Sequence, residues 1–109
     1  MQITESKIAQ WTVLTLNGKI DQTGAAELKA ALAPHLTGGL VALDFTQVEY
    51  VTSQGFRVLM QALKEQSAMG GRLLLGNMSE SVRAFFDMAG LSTVFKVVHD
   101  IHVVIRATP

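Results

Sequence analysis

The sequence predicts an α/β fold with one mixed, mostly parallel sheet of about five strands, and three observations carry that expectation. Two short segments of near-alternating polarity open the chain, close enough in sequence to pair as a hairpin. Beyond them, short apolar runs alternate with stretches whose apolar residues recur at helical spacing, the order that calls for right-handed crossovers and parallel strands. The chain has 109 residues and no cysteine, which fits a single domain spanning 1–109. A domain of that size buries roughly 65% of its unfolded surface and needs no disulfide staples.

Each element has its own reason. Residues 2–8 mix Ile3, Glu5 and Lys7 as an edge-type strand, and Ala9-Gln10 supply a tight reversal. Residues 11–16 alternate again, and Asn17-Gly18, tolerant of unusual backbone angles, close that strand. After Asp21 the period becomes helical, with Leu28, Ala31, Leu32 and Leu36 on one stripe. Asp21 or Thr23 can accept its first free amides, and Pro34 ends or kinks it. Gly38-Gly39 form a loop. Residues 40–45 are a continuous apolar strand, as expected where both faces are covered. A second helix follows Thr52-Ser53, with Phe56, Leu59, Met60 and Leu63 facing inward and Arg57, Gln61, Lys64 and Glu65 outward. Gly70-Gly71 stop it, and residues 72–76 are a second buried strand. Ser79 caps a third helix with the stripe Val82, Phe85, Phe86 and Ala89, ended by Gly90. Residues 94–98 form the last strand. Ile101, Val104 and Ile105 then share a face of a short helix over 100–106.

Composition narrows the function. Nine basic and nine acidic side chains give no net charge, so nothing draws the chain to a nucleic-acid backbone or an anionic membrane. The longest apolar runs fall far short of the roughly 18 residues of a spanning helix, and the first residues lack the basic-then-apolar order of a signal peptide. A cytoplasmic protein without membrane insertion is the expectation. No Gly-rich phosphate loop occurs. His35 sits at a helix end, where it serves the dipole, and His99 and His102 lack a third ligand at matching spacing, so no metal site is expected. Asp44 lies at a predicted strand end, but no acidic cluster near the first strand accompanies it to hold magnesium. Trp11 and the aromatic and methionine stripes read as core, and no pattern calls for a cofactor. An enzyme is not expected.

What remains is the junction Glu49-Tyr-Val-Thr-Ser-Gln-Gly-Phe56, where a strand leads straight into a helix. Thr52 and Ser53 at that helix start serve as an N-cap, worth about 1 kcal/mol. The same free amides and positive dipole end also seat a phosphate carried on a Ser or Thr hydroxyl.

The sequence resembles the STAS domain, in particular the bacterial anti-sigma factor antagonists. Three stretches carry the likeness. Leu16-Asn-Gly-Lys-Ile-Asp21 is similar to the family's second strand and the turn after it. Leu43 through Phe56, ending Asp44-Phe-Thr-Gln-Val-Glu-Tyr-Val-Thr-Ser-Gln-Gly-Phe56, resembles its central strand, loop and switch motif. Leu73-Leu-Leu-Gly-Asn77 with Ser81-Val-Arg-Ala-Phe-Phe-Asp-Met-Ala-Gly-Leu91 resembles its fourth strand and third helix. The resemblance implies a protein that binds a histidine-kinase-like ATPase acting as Ser/Thr kinase or anti-sigma factor, is released when that kinase phosphorylates its switch serine, and is restored by a phosphatase.

The chain departs from the family pattern at the motif usually written Asp-Ser-Ser-Gly-Leu. Aligned on Gly55, the motif's Asp falls at Thr52, its first Ser at Ser53, and its second Ser, the usual acceptor, at Gln54, which has no hydroxyl. Arg57 stands where a small residue is common. The resemblance therefore implies one of two things. Either the switch has moved to Ser53 or Thr52, with Asp21, Thr52, Ser53, Gln54, Arg57 and Asn77 forming the partner surface, or the chain is an unswitched docking subunit of a lipid or anion transport system.

Overall fold

In the computed structural model, which describes residues 1–108, the elements follow the expected order. They are β1 (Gln2–Ile8), β2 (Trp11–Ile20), α1 (Gln22–Leu32), a 3-10 turn (Ala33–His35), β3 (Leu40–Val51) and α2 (Ser53–Ala68). Then come β4 (Arg72–Gly76), α3 (Glu80–Met88), a second 3-10 turn (Leu91–Thr93), β5 (Lys96–Val98) and α4 (Ile101–Ala107). Pro109 lies outside the described residues. The five strands form one sheet in sequential order, with β1 antiparallel to β2 and every later pair parallel.

That order fixes where the helices lie. Each crossover steps to the next strand in the same direction, so right-handed connections put α1, α2 and α3 on one face. The main core forms there from Leu14, Leu16, Phe45 and Leu75 of the sheet with Leu28, Leu59 and Phe86 of the helices. The opposite face, with Trp11, Val13, Ala42 and Leu74, is covered by Ile101 and Ile105 of α4. Both faces of the central strands are thus buried, which is why residues 40–43 and 73–75 read as unbroken apolar runs.

Several boundaries differ from the sequence reading. The second strand runs to Ile20 instead of Leu16, because Asn17-Gly18 lies within a bulged stretch of the β2–β3 ladder and does not end it. Gly18 takes φ +123°, a conformation that suits glycine there. The third strand continues from Phe45 to Val51, so Asp44 sits mid-strand, its carboxylate accepting from the amide and hydroxyl of Thr46 at 2.9 and 2.5 Å. Pro34 falls in the 3-10 turn that follows α1, consistent with a helix ending before it. On α3 only Val82 and Phe86 are buried, whereas Phe85 and Ala89, expected inside, are exposed. The last strand begins at Lys96, since Val94 belongs to the turn preceding it and is exposed. His35 pairs with Glu5 of β1 at 2.8 Å, which ties the turn after α1 to the edge strand.

Candidate functional site

The site is built from the paired ends of two parallel strands. Ile20, the last residue of β2, lies opposite Val51, the last residue of β3. The residues that follow them, Asp21 and Thr52, are the N-caps of α1 and α2. Two helix starts are therefore held side by side by the register of the sheet.

The two caps behave differently. The Asp21 carboxylate accepts the amide of Gly24 at 2.9 Å and caps its own helix. Thr52 turns its hydroxyl away from α2 and donates it to the Ile20 carbonyl at 3.0 Å, and its amide reaches the same oxygen at 3.0 Å. The sequence reading of Thr52 as a side-chain cap is corrected on this point. Among the described residues no side chain bonds the first amides of α2, whereas Asp21, Ser79 and Asp100 each cap their own helices. The positive end of the α2 dipole is left to solvent at this spot.

Small residues let each helix start lie close against the strand ends. A methyl group on Gly55 would lie 2.6 Å from Ile20 Cγ2, 2.7 Å from Val51 Cγ1 and 2.9 Å from the Ile20 carbonyl oxygen. Gly24 has the same role under α1, where a Cβ would lie 2.1 Å from the Lys19 carbonyl oxygen. With Gly55 pressed against the sheet, the positions around it face outward: Ser53, Gln54 and Arg57 are exposed, and Thr52 and Asp21 are half-buried. Ser53 and Arg57 are four residues apart, so they are neighbours on the helix surface. The Lys19 ammonium lies 5.9 Å from the ring centre of half-exposed Tyr50, its register partner, at the border of this surface. The sequence reading missed that pair, because the strand ends that align Lys19 and Tyr50 were not visible.

Five of the six expected surface residues come together in this way: Asp21, Thr52, Ser53, Gln54 and Arg57. Asn77 is placed elsewhere. β4 accompanies β3 only as far as the Asp44–Gly76 pair, while β3 runs on to Val51. Asn77, with φ +62°, uses its side-chain oxygen to accept the amide of Ile101 at 3.0 Å and so docks the start of α4. Among the described residues no three His, Asp or Glu side chains converge as metal ligands. His99 is exposed, and His102 lies 3.3 Å from the carboxylate of Asp100. No helix among the described residues is long and apolar enough to cross a membrane.

Comparison with known proteins agrees with this architecture. Residues 3–99 match a family described as "Mlab, STAS domain". The chain is 30% identical over 99 residues to a Bordetella bronchiseptica protein described as anti-sigma factor antagonist BtrV, covering 89% of this chain and 85% of that one. Among solved structures, an anti-sigma factor antagonist from Thermotoga maritima superposes with a TM-score of 0.87 at 20% identity, covering 96% of this chain and 92% of that one. The anti-sigma factor antagonist SpoIIAA in its unphosphorylated form gives 0.76 at 20% identity over 97% and 96% of the two chains. The helix start joined to the strand end, the sheet order and the family match over residues 3–99 lead to one assignment: this chain belongs to the STAS domain family, with the anti-sigma factor antagonists.

Proposed function

We propose that the chain is a non-enzymatic partner-switching regulator of the anti-sigma factor antagonist type. It binds a histidine-kinase-like ATPase, acting as Ser/Thr kinase or anti-sigma factor, through Asp21, Thr52, Ser53, Gln54 and Arg57. Phosphorylation at Ser53 releases it, and a phosphatase resets it. The observation that carries this reading is the division of labour between the two hydroxyls. Thr52 is half-buried with its hydroxyl committed to Ile20, whereas Ser53 is exposed at the uncapped start of α2. Ser53 is therefore the accessible acceptor, one position before the family's usual one.

The physics of release is local. A phosphoserine carries roughly −1.5 to −2 charges at neutral pH, and free amides and the dipole end of α2 tolerate that charge in the unbound protein. An interface fitted to a neutral hydroxyl does not tolerate it, because the added charge must be desolvated on binding. The fold need not change. SpoIIAA, which shares the fold, has been solved in both unphosphorylated and phosphorylated forms.

Gln54 favours a second reading, in which the switch is lost and the chain stays docked as an unregulated subunit of a transport system. Affinity capture of the tagged protein from its own cells, with phosphopeptide mapping of residues 52 and 53, separates the two. The switch reading expects a kinase-like ATPase, phosphate on Ser53 in the unbound pool only, and constitutive binding by Ser53→Ala. Transporter subunits with an unmodified Ser53 would sink it.

A further inference from the structure

α1 and α2 lie side by side on the main core face and, because β2 and β3 are parallel, run in the same direction. Between their outer surfaces is an open cleft of about 530 Å³. Its floor includes the nearly buried Ala25, Leu32 and Ala62, Ala26 and Val58 add apolar surface, and long polar side chains line the rest. The cleft begins at Gln54 and Arg57, so it continues directly from the switch surface along the two helices.

The charges along the cleft are ordered. Arg57, near the start of α2, lines the first part, Lys29, in the last turn of α1, lies further along, and Glu65 lines the far end. Among the described residues neither Arg57 nor Lys29 lies within salt-bridge distance of a carboxylate. The α2 dipole adds to the pattern, positive at the Arg57 end and negative toward Glu65, while Lys29 sits at the negative end of α1. An apolar trough between parallel helices, cationic at one end and acidic at the other, is complementary to a third helix laid over it.

We propose that this cleft docks an amphipathic helix of a protein partner, running antiparallel to α1 and α2, with acidic side chains over Arg57 and Lys29 and a basic one over Glu65. The antiparallel sense opposes the partner's dipole to those of α1 and α2. The proposal rests on the partner-binding reading above only in taking a protein as the occupant. It does not need Ser53 to be phosphorylated. The docked helix would supply a second anchor beside the switch, so that a charge on Ser53 loosens one end of a longer contact.

The test uses the full chain, immobilised, and a phage-displayed library of random peptides of about 16 residues, enough for roughly four helical turns. Enriched peptides are expected to carry apolar residues at i, i+3/i+4 spacing with Asp or Glu toward one end. Titrating such a synthetic peptide into the isotope-labelled chain should shift the amides of Ala26, Val58 and Ala62. The exposed double reversal Lys29→Glu/Arg57→Glu should weaken binding about tenfold, and a peptide with its acidic residues changed to Lys should recover it. Basic or non-amphipathic winners, shifts mapping outside the cleft, or indifference to the charge reversal would each overturn the proposal. So would sedimentation showing that a second copy of the chain occupies the cleft. Peptide binding with no ATPase recovered from cells leaves the cleft standing and removes the switch reading, and the converse result does the opposite.

Discussion

The hydroxyl of Thr52 and the carbonyl of Ile20, residues 32 apart in sequence, are joined by a 3.0 Å hydrogen bond, and the Thr52 amide shares the same oxygen at 3.0 Å. This pair ties the start of α2 to the end of β2 and commits the Thr52 hydroxyl, leaving Ser53 as the exposed hydroxyl at that helix start. Thr52→Val keeps the β-branched shape but removes the donor, so urea unfolding should show a loss of about 1 kcal/mol. Thr52→Ser should retain most of that stability. Ser53→Ala, on an exposed position, should stay within about 0.5 kcal/mol of the parent. A larger loss for Ser53→Ala than for Thr52→Val would reverse the assignment of the two hydroxyls.

Gly55 provides the second prediction, because two effects of opposite sign meet there. Alanine is favoured over glycine in a helix interior by about 1 kcal/mol. The added methyl, however, would sit 2.6–2.9 Å from Ile20 and Val51, including a backbone oxygen that cannot move aside cheaply. Overpacking of that kind costs about 1–3 kcal/mol, so Gly55→Ala should be net destabilising and should displace α2 from the strand ends. Gly70→Ala is not a control, since Gly70 has positive φ; Ala30→Gly on the exposed face of α1 is one, and should cost only about 1 kcal/mol.

How much of this was visible in the sequence depends on whether the cause was local. The apolar runs at 40–43 and 73–75 carry their meaning in four or three residues, because a strand covered on both faces has no polar side. The Ser79 cap was legible for the same reason: its hydroxyl accepts the amide of Val82, three residues on. The second half of β3 was not legible. Thr46, Gln47, Glu49 and Tyr50 are exposed and only Val48 and Val51 are buried, a bulged pattern that resembles a loop. With β3 cut short, neither the Ile20–Val51 pairing nor the backward turn of Thr52 could be inferred. Asn77 was grouped with the switch through the family resemblance, and only the register shows that β4 stops well before the end of β3. The cluster around Ser53 was recoverable because its members, apart from Asp21, lie within six consecutive positions.

Asp100 gives a prediction in pH. Its carboxyl is held below the ordinary Asp range, chiefly by the hydrogen bond from the His102 amide at 2.9 Å, with desolvation opposing and the His102 ring and the charge of Arg106 assisting. A carboxyl whose folded pKa is depressed contributes stability that is present above its unfolded value and lost as pH falls through the folded one. The attachment of α4 should therefore weaken only on acidification below the ordinary Asp range. Trp11, the single tryptophan, packs in the same cluster as Ile101 and Ile105 and reports that attachment by fluorescence. Asp100→Asn should flatten the part of the acid transition that this carboxyl contributes. An unchanged acid transition in the variant would show that α4 is held by its apolar face alone.

Gln66 is the last and largest effect. It is fully buried near the end of α2, at a position whose residue type reads as a solvent-facing helix side chain. Its amide oxygen accepts the Gly38 amide at 3.0 Å, and its amide nitrogen donates to the carbonyls of Gly39 at 2.8 Å and Arg72 at 3.3 Å. One side chain thus bonds three backbone groups from the loop before β3 and the start of β4, beside the direct bond from the Arg72 amide to the Gly39 carbonyl at 3.0 Å. Gln66→Leu would fill similar space but leave the Gly38 amide without its acceptor and take one donor from the Gly39 and Arg72 carbonyls, of which Gly39 keeps the Arg72 amide. A buried unsatisfied group costs about 1–3 kcal/mol. Partial rehydration of the loop relieves some of this, so a net loss of about 1–3 kcal/mol is expected in urea unfolding. Gln66→Glu keeps the acceptor for Gly38 but, when ionised, turns a carboxylate oxygen toward the Gly39 and Arg72 carbonyls. Its stability should accordingly be greater at acidic pH, where the protonated carboxyl can donate to one of them, than at neutral pH. A Gln66→Leu variant as stable as the parent would show that water takes over the three bonds without penalty. The side chain would then be an ornament of the loop and not its anchor.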